Sequence, residues 1–354
     1  MSTPLIEARQ VSRRFSRGLD AAERLARWLG APLDEQVVHA VDEVSLSVAA
    51  GEVLGLVGES GCGKSTLGRV LAGIMPASAG EVRWQGEPIT SLSGDAHKAM
   101  RLAIQMIFQD PMSTLNPRMR VLDLIGEAPR VHGLVSAAQT RDYVASLMQR
   151  VGLDPSYIDR YPHQFSGGQR QRIGIARALA VHPRLLICDE SVAALDVSIQ
   201  AQILNLFMEL KQSEALTYIF ISHDLGVIKH MCDRVLVMYL GRVVETASTE
   251  TLFARPLHPY TQALLREQPS LQLRAQDFTP IQGEIPSPLN PPAGCHFHPR
   301  CPYAEARCRS ERPQLREADS GHHIACHFDI SVYTPAAPTA LNPAWNLATS
   351  GDHP

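Results

Sequence analysis

The sequence predicts an α/β domain built on a parallel sheet, followed by a smaller region that is rich in cysteine and proline. Apolar runs at residues 53–57, 104–108, 185–188, 218–221 and 235–238 predict the strands. These runs are nearly continuous, which is typical of strands buried on both faces of a parallel sheet. Such a sheet binds its ligand at the carboxyl ends of the strands, so the motifs that follow the strands are the candidate site residues.

Helical patterns lie between the strands. Residues 141–151 and 198–210 each place apolar side chains on one face of a helix. A further short helical pattern at residues 18–36, which contains Arg24 and Arg27, interrupts the N-terminal strands. A surface helix packed on its own domain is the preferred interpretation of this segment, and a helix that contacts a membrane or a partner is the alternative.

Composition restricts the class of protein. The 354 residues are too many for one average domain and fit two. With 45% hydrophobic and 19% charged residues the chain is not disordered as a whole, and a net charge of −3 argues against a protein that mainly coats nucleic acid. No apolar run reaches the roughly 18 residues of a membrane-spanning helix. The N-terminus also lacks the apolar segment of a signal peptide, so we expect a cytosolic protein.

The chain changes character near residue 268, since 13 of its 25 prolines fall within residues 269–354. The sequence therefore predicts a first domain at residues 1–266 and a cysteine-bearing C-terminal extension at residues 267–330. Residues 331–354 are predicted to form a loosely ordered tail.

A glycine-rich loop follows the first apolar run and precedes a helical pattern, which is the order of a phosphate-binding loop. Glycines let consecutive backbone N–H groups point at phosphate oxygens, and a helix that begins there adds the positive end of its dipole. Lys64 is predicted to supply a mobile charge to the β- and γ-phosphates, and Ser65 a ligand for Mg²⁺. The predicted ATP-binding residues of this loop are Gly58, Glu59, Ser60, Gly61, Cys62, Gly63, Lys64, Ser65 and Thr66.

Two acidic residues, Asp189 and Glu190, stand where the strand at 185–188 would emerge at the ligand edge. A phosphate loop needs a carboxylate for its metal ion, so Asp189 is the predicted Mg²⁺ partner and Glu190 is predicted to face the attacking water. Because an unperturbed glutamate is a weak base at pH 7, we expect positioning of the water to matter as much as proton removal. A solvated loop is the alternative for such a pair taken alone.

A second glycine-containing helix start lies between these motifs, in the run Phe165-Ser166-Gly167-Gly168-Gln169. A hydroxyl and two glycines at a helix start form another anion cradle, and one triphosphate does not need two. The run resembles the signature motif of ATP-binding cassette (ABC) ATPases, the motor subunits of membrane transporters.

This resemblance implies a phosphate-loop NTPase cassette with a mixed, mainly parallel sheet and a helical signature subdomain at about residues 110–180. It also implies that two cassettes pack head to tail, so that each signature motif caps the γ-phosphate held by the partner. The residues that would act in this way are Ser166, Gly167, Gly168 and Gln169.

Other positions of the resembled family are present in order. By this resemblance Gln109 contacts Mg²⁺ and the water, His223 contacts the γ-phosphate, and Asp196 crosses the dimer interface as the D-loop aspartate. The predicted catalytic set is Glu190, His223 and Gln109, and the predicted Mg²⁺ ligands are Ser65, Gln109 and Asp189.

Phe15 is a candidate for stacking on the adenine ring, and a core phenylalanine is the alternative. Three residues differ from the usual family pattern: Phe165 replaces a leucine, Ser191 a proline and Ala193 a serine. None of the three removes a catalytic group, so we expect an active ATPase.

Residues 257–261 (LHPYT) and 294–302 (GCHFHPRCP) resemble the C-terminal extension of ATPase subunits of dipeptide and oligopeptide importers. The resemblance implies three kinds of partner: a second ABC ATPase, identical or not, two transmembrane permease subunits, and an extracytoplasmic substrate-binding protein. It places the chain at the cytoplasmic face of the inner membrane. The cargo stays open between dipeptides, longer peptides, glutathione and nickel. A soluble ABC ATPase that acts on nucleic acid or ribosomes is the rival, but the coiled coil or second cassette that it requires is absent from the sequence.

Four cysteines of the C-terminal region, Cys295, Cys301, Cys308 and Cys326, have the spacing C-x5-C-x6-C-x17-C. Four thiolates hold either Zn²⁺ or a 4Fe–4S cluster, and no pair here has the close spacing usual for structural zinc. Members of the resembled family carry an iron–sulfur cluster at this place. A 4Fe–4S cluster is therefore expected, with Zn²⁺ or unligated cysteines as the alternatives.

Overall fold

The computed structural model of the chain describes residues 3–17, 36–110, 114–193, 195–267, 281 and 283–328. The helical pattern at residues 18–36 lies outside these ranges except for its last residue, and the predicted tail at residues 331–354 lies outside them entirely.

Within the described ranges the chain alternates strands and helices. The strands are β1 (Ile6–Arg17), β2 (Gln36–Val48), β3 (Val53–Val57), β4 (Ala79–Trp84), β5 (Glu87–Pro88), β6 (Ile104–Ile107), β7 (Leu185–Asp189), β8 (Thr217–Ile221), β9 (Arg234–Tyr239), β10 (Arg242–Ser248), β11 (Arg316–Asp319) and β12 (His322–Ile324). The helices are α1 (Lys64–Leu71), α2 (Gly94–Ala103), α3 (Val121–Val131), α4 (Thr140–Arg150), α5 (Gly167–Leu179), α6 (Val197–Glu214), α7 (Leu225–Met231), α8 (Thr249–Ala254), α9 (Pro259–Arg266) and α10 (Ala306–Ser310).

An eight-stranded sheet forms the centre of the molecule, with the strand order β11-β12-β10-β9-β3-β8-β7-β6. The five strands from β9 to β6 run parallel, and the remaining three continue the sheet in antiparallel fashion. The five parallel strands are the five apolar runs that the sequence singled out, with bounds that differ by one residue at most. The predicted α/β fold with a mixed, mainly parallel sheet is therefore confirmed.

Burial on both faces explains why these strands are apolar throughout. In β3 every residue is buried: Val53 and Val57 belong to one hydrophobic core, whereas Leu54 and Leu56 belong to another on the opposite face. Because side chains alternate along a strand, a continuous apolar run serves two cores at once. The carboxyl ends of these strands consequently lie at one edge of a sheet that is covered on both sides.

A second, antiparallel sheet with the order β2-β1-β4-β5 packs beside the first. In β2 buried and exposed residues alternate from Asp42 to Val48, as expected for a strand that faces the core on one side only. Helices α3, α4 and α5 pack against each other and form the helical part of the molecule. The predicted apolar face of α4 is buried through Val144, Leu147 and Met148.

The described part of the C-terminal extension joins the central sheet instead of standing apart from it. Strand β12 pairs with β10 in the register Glu245↔Ile324. The Glu245 side chain is 0% exposed and accepts hydrogen bonds from the backbone N–H groups of Leu257 and His258 and from His322 Nε2, at 2.7, 2.9 and 2.7 Å. The Glu245 carboxylate thus links His322 of the extension to Leu257 and His258, which directly precede α9.

Candidate functional site

The phosphate-loop residues connect β3 to α1, as the sequence predicts. Gly58 and Gly63 have φ values of +149° and +103°, and a Cβ atom at either position would lie 2.2 Å from Met238 O or 2.0 Å from Ala40 O. Glycine is required at both positions because the loop passes against the backbone of β9 and β2. The loop is held in a tight curve at the carboxyl end of β3, directly before the N-terminus of a helix.

Lys64 lies within the curve of this loop. Its side chain is 4% exposed, and Nζ donates to the carbonyl oxygens of Gly58 and Glu59 at 2.6 and 3.0 Å. The ammonium group is therefore positioned at the first turn of α1 by the loop backbone itself. A phosphate bound there would meet both this charge and the positive end of the helix dipole.

Ser65 and Asp189 meet at the base of the loop, although 124 residues separate them in the chain. The Ser65 hydroxyl donates to Asp189 Oδ1 at 2.7 Å. Burial raises the pKa of Asp189, while the bond from Ser65 acts in the opposite direction. A buried carboxylate beside a hydroxyl is a donor set that suits Mg²⁺, because the cation offsets the cost of burying the negative charge.

Glu190 follows β7 and contacts both other members of the predicted catalytic set. Gln109 Nε2 donates to Glu190 Oε2 at 2.7 Å, and His223 Nδ1 lies 3.5 Å from Glu190 Oε1. The Glu190 side chain is 17% exposed and His223 is 59% exposed, so the carboxylate is shielded and the imidazole faces outwards. The backbone of Glu190 has a φ of +48°, a left-handed conformation that costs a non-glycine residue energy and is found more often at functional sites.

A cavity of about 260 Å³ opens over these groups. Eight of the predicted site residues line it: Ser60, Gly61, Gly63, Lys64, Ser65, Thr66, Gln109 and Glu190. Its remaining walls are Val38, Ala40 and Pro288. The sequence does not indicate these three residues, because apolar residues in a strand or loop carry no chemical signal. Phe15 is absent from these walls and is 37% exposed, but it pairs directly across β1 and β2 with Val38.

The signature residues form the N-terminus of α5 and do not line this cavity. Ser166 caps the helix by accepting a bond from Gln169 N at 3.4 Å, and Gln169 Oε1 accepts from Ser166 N at 3.0 Å. Ser166 and Gly167 are exposed, and so is Asp196 at the start of α6. The structure thus gathers the loop, the acidic pair, Gln109 and His223 into one site, and leaves the predicted trans-acting residues on a surface.

Two residues outside the predicted site, Tyr260 and Arg300, contact the phosphate loop at Glu59. The Tyr260 hydroxyl accepts a hydrogen bond from the backbone N–H of Glu59 at 2.8 Å. Arg300 Nη1 and Nη2 donate to the Glu59 carboxylate at 2.7 and 2.9 Å. Both residues lie in motifs quoted above, LHPYT and HPRCP, but the sequence gives no indication that these motifs reach the loop.

The four cysteines of the extension line one small cavity of about 10 Å³. Burial raises the pKa of Cys295 to about 11 and that of Cys301 to about 12, and it also raises the pKa of Cys326. Thiols in such a place ionise only when a cation compensates their charge, which is chemically suited to a metal or cluster site. Within the described ranges, however, no three His, Cys, Asp or Glu side chains are grouped so as to hold a metal ion.

Comparisons with known proteins agree with this geometry. The family model described as "ABC transporter" matches residues 41–193, and the model described as "Oligopeptide/dipeptide transporter, C-terminal region" matches residues 244–308. The oligopeptide transport ATP-binding protein AppF of Bacillus subtilis is 50% identical over 295 residues, which cover 82% of this chain and 90% of that protein. The chain belongs to the ATP-binding proteins of the ABC transporter family. The resemblance inferred from the motifs is thereby confirmed.

Other members of the ABC family give the same result. A probable peptide ABC transporter ATP-binding protein of Sinorhizobium fredii is 50% identical over 87% of this chain and 86% of its own. Among solved structures, cbiO1 from Clostridium perfringens, part of the ABC transporter complex cbiONQ, has a TM-score of 0.58 at 26% identity, with 72% of this chain and 92% of that chain covered. The ABC protein described here is an ATP-hydrolysing enzyme. In its described residues no helix has the length and apolar character needed to cross a bilayer.

Proposed function

We propose that this ABC ATPase is the motor subunit of an importer for dipeptides or oligopeptides. The observation that carries the proposal is the match to the oligopeptide/dipeptide transporter C-terminal region at residues 244–308. The contacts of Ser65 with Asp189 and of Gln109 with Glu190 support it. Relatives that are about half identical are described as oligopeptide or di/tripeptide transport ATP-binding proteins. Importers of nickel or glutathione would use the same motor chemistry, and no described residue favours them.

The residues divide the work of hydrolysis by position. Lys64 and the loop N–H groups bind the phosphates, and Ser65, Asp189 and Gln109 would hold Mg²⁺. The bound ion would supply positive charge that offsets the negative charge of the phosphates. Glu190 orients the attacking water and accepts its proton, while His223, which reaches Glu190 from the next strand, faces the γ-phosphate. Phe15 stacks on adenine beside the wall formed by Val38.

Two such chains, or this chain and a homologous ATPase, close around two ATP molecules. The signature residues Ser166, Gly167, Gly168 and Gln169 act on the nucleotide of the partner, and Asp196 crosses between the subunits. Two observations support this arrangement. These residues lie outside the ATP cavity of their own chain. The bacterial ABC transporter cassette MJ0796 was solved as a dimer; it has a TM-score of 0.58 at 25% identity, with 69% of this chain and 98% of that chain covered. Loss of the γ-phosphate removes contacts to both subunits and reopens the pair.

The same proposal sets the partners and the place of the chain. Two transmembrane permease subunits carry the substrate pathway, an extracytoplasmic binding protein delivers the peptide, and the ATPase lies at the cytoplasmic face of the inner membrane. Residues 1–266 form the cassette, with a helical signature subdomain at about residues 110–180, and residues 267–330 form the extension. Contacts between the two parts, such as the hydrogen bond between Glu245 and His322, hold the extension against the cassette.

We also propose that Cys295, Cys301, Cys308 and Cys326 hold a 4Fe–4S cluster, with Zn²⁺ as the alternative. Their convergence on one small cavity supports this proposal. Protein purified without air is expected to contain iron and sulfide and to show visible absorbance that bleaches on reduction. If the protein contains zinc and no iron, the site is the alternative zinc site. If it contains neither metal, both the cluster and the zinc site are contradicted.

Substitution of Glu190 tests the ATPase assignment. We expect Glu190→Gln to bind ATP, to hydrolyse it at less than about one hundredth of the parental rate, and to accumulate as an ATP-bound dimer, because the water loses its orienting group. Phosphate release and size-exclusion chromatography measure the two effects. Glu209→Gln, an equally conservative change at an exposed position of α6, serves as the control. Parental hydrolysis by Glu190→Gln would refute the role of Glu190.

Uptake into vesicles tests the cargo. The ATPase is co-expressed with permease subunits and a binding protein of a peptide importer from the same organism, and labelled dipeptides, longer peptides, glutathione and Ni²⁺ are offered in turn. ATP-dependent accumulation of peptides that fails with Glu190→Gln supports the proposal. Accumulation of Ni²⁺ or glutathione alone would assign the motor to another cargo.

A further inference from the structure

Glu59, the second residue of the phosphate loop, is held from two sides by residues from the C-terminal part of the chain. Its backbone N–H donates to the Tyr260 hydroxyl at 2.8 Å, and its carboxylate accepts two bonds from the Arg300 guanidinium at 2.7 and 2.9 Å. In the chain Arg300 is 241 residues from Glu59 and directly precedes Cys301. The extension therefore contacts the phosphate loop directly through this ion pair, in addition to the wall that Pro288 gives the ATP cavity.

The pair is shielded from water. The side chains of Arg300 and Glu59 are 4% and 18% exposed, and the two bonds form the parallel fork that arginine makes with carboxylates. Arg300 Nη1 also lies 3.4 Å from the Tyr239 hydroxyl, whereas its Nε has no hydrogen-bond partner in the described structure. Because a buried guanidinium depends on its carboxylate, the positions of Arg300 and Glu59 are fixed together.

Tyr260 is equally fixed. It is fully buried, and its ring meets those of Tyr239 and Phe297 at centroid distances of 4.7 and 5.4 Å. The hydroxyl consequently has little freedom to follow the loop, and the loop is held at the place where the hydroxyl lies.

The position of Glu59 determines that of the phosphate-binding groups. Its carbonyl oxygen accepts a bond from Lys64 Nζ at 3.0 Å, and it also accepts one from the Cys62 N–H at 3.3 Å. A shift of Glu59 would carry the lysine ammonium and the inner N–H groups of the loop with it. Pre-organised groups of this kind contribute to affinity because the ligand does not have to order them.

We propose that Arg300 and Tyr260 are positioning residues for the phosphate loop, and that the C-terminal extension, through Arg300, contributes to the affinity of this ATPase for nucleotide. The inference rests on ATP binding alone and not on the identity of the cargo. It gives Arg300 of the extension and Tyr260 an effect on the ATP site, although neither side chain lines the ATP cavity.

The test compares Arg300→Met and Tyr260→Phe with the full-length parent. Calorimetric titration with the magnesium complex of AMP-PNP gives Kd, and steady-state hydrolysis gives KM and kcat. We expect Kd and KM to rise about tenfold in Arg300→Met and about threefold in Tyr260→Phe, with kcat changed less than about twofold. A purely structural role would instead lower the number of binding sites and kcat, and leave Kd unchanged.

Arg255→Met is the matched control. Arg255 also pairs with a carboxylate across the contact between cassette and extension, at 2.6 Å from Asp319 Oδ2, but the pair is exposed and does not touch the phosphate loop. Nucleotide affinity of this variant is expected to equal that of the parent. Equal losses in Arg255→Met and Arg300→Met would show a general loosening and overturn the proposal.

Two further variants keep the test decisive if Arg300→Met folds poorly. Arg300→Lys retains the charge but not the fork, and an intermediate affinity is expected. Glu59→Gln combined with Arg300→Met is expected to be no weaker than the worse single variant, because both remove the same interaction. If the parent binds AMP-PNP and the Arg300, Tyr260 and Glu59 variants bind it equally well, this proposal is overturned. The assignment of the ATP site would stand in that case.

Discussion

Gly168 in the signature motif is required by packing at its own position. A Cβ atom there would lie 2.4 Å from Ile199 Cγ2, in the first turn of α6. The start of the signature helix therefore contacts the helix that follows Asp196, and any larger residue at position 168 would require the Ile199 side chain to move. The signature motif and Asp196, which are both proposed to act on a partner cassette, are thus close to each other because Gly168 lets their two helices pack closely.

Gly168→Ala is expected to lower the free energy of unfolding by about 1–3 kcal/mol, because the branched Ile199 side chain has to be displaced. Urea unfolding measures the loss. Gly174→Ala in the same helix is the control, since no atom lies within 4 Å of its added methyl group, and a gain of about 0.5–1 kcal/mol is expected there. Equal effects of the two substitutions would contradict the packing argument.

Among the secondary-structure elements, α9 depends on a buried histidine at its N-terminus. His258 is 1% exposed, and its Nδ1 accepts a bond from the Tyr260 N–H at 3.1 Å. Burial lowers the pKa of His258 to about 4, so the ring is neutral in the folded protein at pH 7 and Nδ1 is free to accept. The helix that contains Tyr260 is therefore capped by His258 Nδ1, which can no longer accept this hydrogen bond once it is protonated in acid.

This cap predicts a loss of stability in acid. In the unfolded chain His258 takes up a proton below its ordinary pKa of about 6.5, whereas in the folded protein it does so only near pH 4. Stability is therefore complete above pH 6.5 and falls as the pH drops towards 4, by up to about 3 kcal/mol for this group.

Urea unfolding measured at several pH values checks this loss. His258→Asn keeps a side-chain acceptor at the cap and is expected to reduce the slope of the profile between pH 4 and 6.5. The remaining slope is expected from His296, because burial lowers its pKa to about 4 as well. His230→Asn, at an exposed position, is expected to retain the parental profile. If His258→Asn also retains it, the acid loss arises elsewhere.

For the molecule as a whole, dimer formation is expected to involve an exposed apolar residue. Val197 follows Asp196 directly and is 83% exposed, beside a signature motif that lies outside the ATP cavity of its own chain. An apolar side chain at such a place is buried without cost when a partner covers it.

Val197→Glu, combined with Glu190→Gln, is expected to weaken the ATP-bound dimer about tenfold or more without changing the thermal midpoint, because a charge would enter the interface unpaired. Analytical ultracentrifugation with ATP measures the dimer. Val131→Glu makes the same change at a residue that is 70% exposed at the end of α3, and there the dimer should persist. Dimers of parental strength in Val197→Glu would place the interface elsewhere.

The sequence predicted the five parallel strands and the groups of the ATP site because both depend on local signals. An apolar run in β3 or β7 indicates its own burial, and Lys64 or Glu190 carries its chemistry in its residue type. The bond between Arg300 and Glu59 and the pairing of β12 with β10 join segments far apart in the chain, and neither leaves a periodic or compositional trace. The extension at residues 267–330 was predicted from its cysteine and proline content, which gives no indication of where the segment docks.

The pairing of β12 with β10 also protects the central sheet. Strand β10 is buried through much of its length, and without β12 its backbone N–H and C=O groups would form an open edge able to pair with another chain. The strand that ends the sheet on this side, among the described residues, is β11 (Arg316–Asp319), a short strand in which three of four residues are charged. Charged, short edge strands resist intermolecular pairing, so a chain cut after residue 266 would exchange a protected edge for an aggregation-prone one.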